Sequence, residues 1–280
     1  SFDKNEISEV AKTLKSGWVS ADSPINKKFE KSFSQKLNRK FSVAVSSGTA
    51  ALDIAVKSLD LKKGDEIIVP TFTIISTLNQ IIRQGIKPIL IDSDPITWNM
   101  KVHEIESKIS KKTKAIMVVH IYGLPTDMNK VLYLAKKYKL FVIEDSAEQL
   151  GQTYYGKPVG SLGDISTFSF FANKHITTGE GGMISTNSSK LKNKFKILRN
   201  LSFDPKNQKF IHDTLGWNYR MTSLQAAMGK VQLKKLNKFI KIKRFIGKFY
   251  NNAFKNLNDL QLPLPRTDYA ENIYWVYGLV

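Results

Sequence analysis

The sequence predicts an α/β fold, and two observations predict it. Between residues 41 and 144, short runs rich in Ile and Val alternate with stretches of helical period. Apolar strands joined by helical crossovers belong to a mostly parallel sheet covered by helices on both faces. At 280 residues the chain is long enough for one large or two modest domains with a substantial core.

Taken in order, residues 5–16 place Ile7, Val10, Ala11 and Leu14 at helical spacing, and Gly17 is the expected stop. After a loop at 18–24, a second helix is expected over 26–37 with Phe29 and Phe33 on one face. Strands follow at 41–45, 66–70, 88–92, 115–120 and 140–144, separated by helices at 50–59, 73–83, 103–109 and 128–138. Two more strands, 164–171 and 182–186, flank a Gly-rich turn that carries Lys174. A basic helix at 188–200 and a polar loop at 203–215 lead to a long helix, capped by Thr222 and expected to break near Gly247. Pro263 and Pro265 interrupt the chain before an apolar segment at 273–280 that stops in mid-pattern, so a further C-terminal portion is expected.

Composition excludes several classes. Hydrophobic content of 42% and charged content of 24% are ordinary for a globular protein, and no apolar run approaches the roughly 20 residues that span a bilayer. Residues 1–15 are polar and lack the apolar core of a secretory leader. Zero cysteines exclude disulfides and thiolate sites and suit a reducing cytoplasm. The formal charge of +19 is uneven: residues 1–186 hold 25 basic and 19 acidic side chains, a net of +6, and residues 187–280 hold 18 against 5, a net of +13. That excess suits either nucleic-acid binding or a solvated helix face whose field attracts an anionic small substrate. Lysines between 230 and 248 alternate with Val231, Leu233, Leu236, Phe239, Ile240, Ile242, Phe245 and Ile246, as on an amphipathic helix, and no nucleic-acid motif accompanies them.

Ligands collect at the C-terminal ends of strands in α/β sheets, and three polar clusters fall there. Ser46-Ser47-Gly48-Thr49 lies between a strand and a helix, where free N–H groups and the helix dipole suit a phosphate. The same residues would also serve as a plain helix cap. Glu144, Asp145 and Glu148 follow an apolar strand, where carboxylates are costly unless paired. A metal, a protonated pyridine nitrogen or simple capping would each account for them. Ser169 and Lys174 end the strand at 164–171, and a desolvated lysine there can form a Schiff base or can merely face solvent. Of four histidines, none at metal-ligand spacing, His120 ends a strand and is expected to line the cleft; His103, His175 and His212 are expected to be surface or structural. No metal site is expected.

Together the stretches Gly17-Trp-Val-Ser, Ser46-Ser-Gly-Thr-Ala-Ala-Leu52, Gly64-Asp-Glu-Ile-Ile-Val-Pro-Thr-Phe-Thr73, Val119-His-Ile-Tyr-Gly123, Ile143-Glu-Asp-Ser-Ala-Glu148, 163–182 and Gly216-Trp-Asn-Tyr-Arg-Met-Thr222 closely resemble the DegT/DnrJ/EryC1/StrS nucleotide-sugar aminotransferases. The resemblance implies an aspartate-aminotransferase-like fold that binds pyridoxal 5′-phosphate (PLP). It also implies a large PLP-binding domain over 1–240, with the start of a small C-terminal domain over 241–280. Residue by residue, it makes Lys174 the lysine that holds PLP and moves the proton, Asp145 the partner of the pyridine nitrogen, and Glu148 the residue near the 3′-oxygen. Gly48, Thr49 and Ser169 match the phosphate cradle. Asn218 matches an asparagine that reaches the neighbouring subunit's phosphate, which implies a homodimer with a shared active site. His120 and Arg220 are candidate substrate residues.

The reaction implied is a ping-pong transfer of an amino group from glutamate to a nucleotide-linked keto-sugar. Within the family the lysine segment and Gly-Trp-Asn-Tyr-Arg-Met-Thr look most like perosamine synthases, which act on C4 of GDP-4-keto-6-deoxymannose. Same-fold sugar dehydratases carry histidine where Lys174 stands. One departure concerns Ile74, where many relatives place an aromatic residue over the cofactor ring; isoleucine covers it by dispersion alone.

Overall fold

The computed structural model describes residues 2–21, 23–205, 208 and 210–280. In chain order its elements are α1 (Lys4–Lys15), α2 (Pro24–Leu37), β1 (Phe41–Val45), α3 (Gly48–Lys57), β2 (Glu66–Pro70), α4 (Ile75–Arg83) and β3 (Lys87–Ile91). A 3-10 turn (Val102–Glu104) then leads into α5 (Ile105–Lys108), β4 (Thr113–Val119), α6 (Met128–Tyr138), β5 (Phe141–Asp145) and a small hairpin of β6 (Thr153–Tyr154) and β7 (Lys157–Pro158). The chain closes with β8 (Ile165–Ser169), β9 (Gly182–Thr186), α7 (Ser189–Arg199) and α8 (Ser223–Phe254). The fold is the α/β one that the alternating pattern predicts. No helix among the described residues is long and apolar enough to cross a membrane.

The chain divides into two compact units, the first comprising Ser1–Asp60 with Ile165–Lys235. Its strands lie in the order β1-β9-β8 and pair antiparallel, with both Val45 and Ser169 opposite Gly182. The link between β8 and β9 contains no helix, and a connection without a crossover returns the chain antiparallel. Phe29 and Phe33 are fully buried on one face of α2, as their spacing predicts. They pack against Phe170 and Phe168, with ring centroids 5.0–5.6 Å apart. Burying aromatic rings of this size contributes most to such a core.

Helix α1 departs from the sequence expectation. Ile7 and Leu14 are exposed, and the residues it buries are Glu6 and Thr13. The reason lies far along the chain. Lys235 and Gln232 each place a side-chain nitrogen 2.6 Å from the Glu6 carboxylate, and Lys230 sits 2.6 Å from Glu9. Asp3 completes a capping box with Glu6, its own N–H donating to the Glu6 carboxylate at 3.0 Å. The helix is therefore docked by ion pairs and hydrogen bonds on its polar face.

The second unit comprises Leu61–Asp164 with Leu236–Val280. Its strands lie in the order β5-β4-β2-β3, all parallel, as the helical crossovers predict. Ile68, Ile116, Val118 and Val142 pack with Met128, Val131 and Leu134 from α6 in one core. Helix α8 is capped by Thr222, whose hydroxyl accepts from the Gln225 N–H at 3.3 Å while the Gln225 side chain accepts from the Thr222 N–H at 2.9 Å. The expected break at Gly247 is absent, since α8 runs unbroken through it. A Cβ there would lie 2.4 Å from the Tyr274 ring, so this glycine serves a close contact. The apolar stripe expected on this helix is buried only in part: Val231, Leu233, Leu236 and Ile240 are covered, whereas Ile242, Phe245 and Ile246 are exposed.

The Glu6 cluster makes stability depend on pH. Burial alone would raise the Glu6 carboxyl, but hydrogen bonds from Lys235, the Asp3 N–H and Gln232 outweigh it and hold it below the usual carboxylate range. A carboxyl depressed in the folded state stabilises above its unfolded value, about 4.3, and that stabilisation is lost as pH falls through the folded value. Thermal melts between about pH 6 and pH 3 are expected to show a falling midpoint. Glu6→Gln should lower the midpoint at neutral pH and flatten its decline; an unchanged slope would remove Glu6 from the explanation.

Candidate active site

In the first unit, β1 ends at Val45 and α3 begins at Gly48. Ser47 is its N-cap, with the side chain accepting from the Ala50 N–H at 3.0 Å. Gly48 and Thr49 occupy the first two helical positions, whose N–H groups have no partner within a helix and point outward with the dipole. Ser169 closes against this end. A Cβ on Gly48 would lie 2.9 Å from the Ser169 Cβ, so only glycine lets the helix start so near β8. The structure thus brings Gly48, Thr49 and Ser169 together, forming a donor set that fits a phosphate monoester.

Lys174 stands five residues beyond Ser169 and is half-buried. Strand β8 ends at Ser169, short of the expected 171, and the lysine sits in a turn closed by its own N–H to the Phe171 carbonyl at 3.0 Å. The turn is braced from behind. Thr177 and Thr178 both donate to the Phe170 carbonyl at 3.0 Å, and Phe170 donates to the Gly181 carbonyl at 2.8 Å. A half-buried amine on a braced turn can act as a nucleophile or proton carrier.

Asn218 and Arg220 are joined, Arg220 Nε donating to Asn218 Oδ1 at 2.9 Å. Their segment is pinned beside the cradle, because Arg220 bridges to Val45 and the Ser46 N–H donates to the Tyr219 carbonyl at 2.8 Å. The Tyr219 hydroxyl ties the segment to α3 through Asp53 at 2.9 Å.

In the second unit, Asp145 is the last residue of β5 and only 3% exposed, with Oδ1 accepting from the Ala147 N–H at 3.1 Å. A buried carboxylate at a strand end suits a cationic ring nitrogen. Glu148 accepts from the Tyr122 N–H at 2.7 Å, which fixes Tyr122 in a left-handed backbone at φ +53°. Burial first, and the Glu148 charge second, push the Tyr122 phenol up.

His120 does not line a cleft, contrary to the sequence expectation. It is fully buried, with Nδ1 accepting from the Thr126 N–H at 3.1 Å and Nε2 facing Glu144 at 3.4 Å. Its surroundings make it an internal brace. Glu144 is likewise internal, accepting from the N–H groups of Gly160, Leu162 and Gly163 at 2.6–2.9 Å. That arrangement separates it from Asp145 and Glu148, with which it clusters in sequence. Ile74 is 64% exposed at the N-cap of α4. The Tyr122 backbone contact to Glu148 was missed from sequence, although the positive-φ pair Tyr122 and Gly123 follows a strand end where such contacts form.

Comparison with known proteins defines the class: a PLP-dependent aminotransferase acting on sugars. The chain belongs to the DegT/DnrJ/EryC1/StrS aminotransferase family, whose model matches residues 1–279. It is 44% identical over 280 residues, all of this chain and 76% of the relative, to GDP-perosamine synthase of Escherichia coli O157:H7. Its fold matches the PLP form of the putative sugar aminotransferase Spr1654 of Streptococcus pneumoniae with a TM-score of 0.92 and 27% identity, over 100% of this chain and 76% of that one. A GDP-4-keto-6-deoxymannose-3-dehydratase matches with a TM-score of 0.93 and 26% identity, over 100% of this chain and 77% of that one.

The cradle can be tested by size alone. Gly48→Ala forces a methyl group into Ser169 and should weaken PLP binding about tenfold or more, measured by titrating the cofactor's visible absorbance. An unchanged affinity would show that the approach of Gly48 to Ser169 has no part in holding the phosphate.

Proposed function

We propose that this enzyme transfers an amino group from glutamate to C4 of GDP-4-keto-6-deoxymannose, making GDP-perosamine for a surface polysaccharide such as an O-antigen. The observation that carries this reading is the 44% identity along the entire chain to a GDP-perosamine synthase, with lysine at position 174. Lysine there, rather than histidine, favours transamination over the dehydration performed by same-fold relatives.

In this reading Lys174 holds PLP through its amine. Gly48, Thr49 and Ser169 take the phosphate, Asp145 the ring nitrogen, and Glu148 lies near the 3′-oxygen. When bound, PLP supplies an electron sink for the carbon that loses a proton. Once displaced by the incoming amine, the Lys174 amine takes a proton from Cα of glutamate in the first half-reaction. In the second it delivers one to C4 of the sugar. Asp145, buried at the end of β5, keeps the ring nitrogen protonated in this reading, so that the sink stays effective. Arg220 is a candidate for the substrate's anionic groups, while the internal position of His120 supports a positioning role in place of substrate contact. Asn218 reaches the phosphate of a second subunit, so the working form is a homodimer with shared sites. The reading includes a cytoplasmic location and a division into a PLP-binding domain through residue 240 and the start of a small domain over 241–280.

Lys174→Ala is expected to abolish turnover and the visible absorbance of the lysine-bound cofactor; a variant that kept both would sink the assignment. Asp145→Asn should keep the absorbance and lower kcat about a hundredfold or more. Adding glutamate to the wild-type holoenzyme should bleach the band, and a panel of nucleotide-linked keto-sugars should show turnover on the GDP-linked one. Turnover confined to a UDP- or TDP-linked sugar would overturn the acceptor.

A further inference from the structure

The outer edge of β1 carries a charged pair to which no role has been assigned above. Strand β1 pairs with β9 and stands last in its sheet, so its other edge would offer open peptide groups. At Ala44 side chains take them. The Ala44 N–H donates to the Glu30 carboxylate at 2.9 Å, and its carbonyl accepts from the Arg199 guanidinium at 2.9 Å. Glu30 and Arg199 also meet each other at 2.9 Å, with side chains only 14% and 6% exposed.

One residue further on, the same edge is occupied by backbone. Val45 bridges to Arg220, and the Ser46 N–H donates to the Tyr219 carbonyl at 2.8 Å. On its far side the segment 217–220 is held by the end of α7. There the Tyr219 N–H donates to the Arg199 carbonyl at 2.9 Å, and the Leu201 N–H to the Trp217 carbonyl at 3.0 Å. Arg199 therefore acts twice: its backbone holds the segment, and its side chain holds the strand on which the segment lies.

This makes the pair a stop. The segment runs antiparallel to β1 with Arg220 opposite Val45, so continued pairing would set Met221 opposite Ala44, where Glu30 and Arg199 already fill the edge. A slip by one residue would exchange the two faces of the segment. In the register observed, Asn218 and Arg220 share a face and are joined at 2.9 Å, while Tyr219 reaches Asp53 at 2.9 Å. A buried ion pair adds little stability over apolar residues of equal volume, and its best-attested use is to fix register.

We propose that Glu30 and Arg199 are positioning residues for Asn218. They fix the register of its segment on β1, and thereby set the hold of Asn218 on the phosphate bound by a second copy of this chain. The inference rests on the shared-site reading above. Its consequence is that damage to the pair is felt across the dimer, at the site of the other subunit.

Mixed dimers, co-expressed with two tags and purified through both, test this. Glu30→Gln with Arg199→Met removes both charges at once, so no buried charge is left unpaired, and glutamine still accepts the Ala44 N–H. Its homodimer should bind PLP about tenfold more weakly, read from the visible band of the lysine-bound cofactor. Adding Asn218→Ala should weaken it no more than about twofold further, because the pair acts through that residue. In a mixed dimer with a Lys174→Ala chain, only the pair-variant chain gives the lysine-bound band. Its site then receives Asn218 from the chain whose pair is intact, and wild-type affinity is expected. Arg199→Lys, which keeps the charge and loses the planar fork, should behave alike, and thermal melts confirm that each variant is folded. Wild-type affinity in the variant homodimers, or affinity as weak in the mixed dimers as in the homodimers, overturns the proposal. Asn218→Ala alone, paired with the Lys174→Ala chain, separates the two readings. If its loss is cured there and that of the pair variant is not, the shared site stands and the positioning role falls. If its loss is not cured, the shared site itself falls and the positioning role with it.

Discussion

The Glu144 carboxylate is the constraint on which the polar end of the second unit depends. It is fully buried, takes three backbone N–H groups from the 160–163 loop and faces His120. A buried carboxylate costs several kcal/mol unless it is hydrogen-bonded, and removing it would leave three N–H groups without that acceptor. Val118 pairs with Glu144 and Val119 with Asp145, so the ends of β4 and β5 are set together. His120 passes the constraint on through its other ring nitrogen to Thr126. Asn99, which binds the Leu124 carbonyl, the Ile121 N–H and the Thr126 hydroxyl at 3.0 Å each, holds the same loop from the other side. Tyr122 and Glu148 meet because this frame leaves the loop little freedom.

The first unit reaches the same end by contact instead of charge. Gly182 has Val45 and Ser169 as its two cross-strand neighbours, and a Cβ on it would lie 2.3 Å from the Ser47 carbonyl oxygen. Gly48 meets Ser169 less tightly, a Cβ there lying 2.9 Å from the Ser169 Cβ. Two glycines therefore let a strand, a helix start and a serine converge where any side chain would hold them apart.

The parts of this fold legible in the sequence are those set by near neighbours. The Phe29–Phe33 face, the strand spans and the Ser47 cap follow from periodicity and local chemistry. Helix α1 was misread because its spacing defines two faces, and the one that is buried is chosen by Lys235 and Gln232, more than 200 residues away. Gly247 was read as a break because glycine is a poor helix former, whereas its reason is the Tyr274 ring. His120 and Glu144 each looked like cleft residues at a strand end, and only their pairing with each other and with the 160–163 loop shows otherwise. The antiparallel return of β9 could have been inferred from the helix-free link after β8. The position of the lysine turn was legible, but the threonine bonds that brace it were not.

A Cβ on Gly48 would meet the Ser169 Cβ at 2.9 Å, so Gly48 can gain a side chain only if residue 169 gives way. An ancestral change at position 48 would survive only with a compensating change at 169. The two sites, 121 residues apart in the chain, are in that sense a single inherited character.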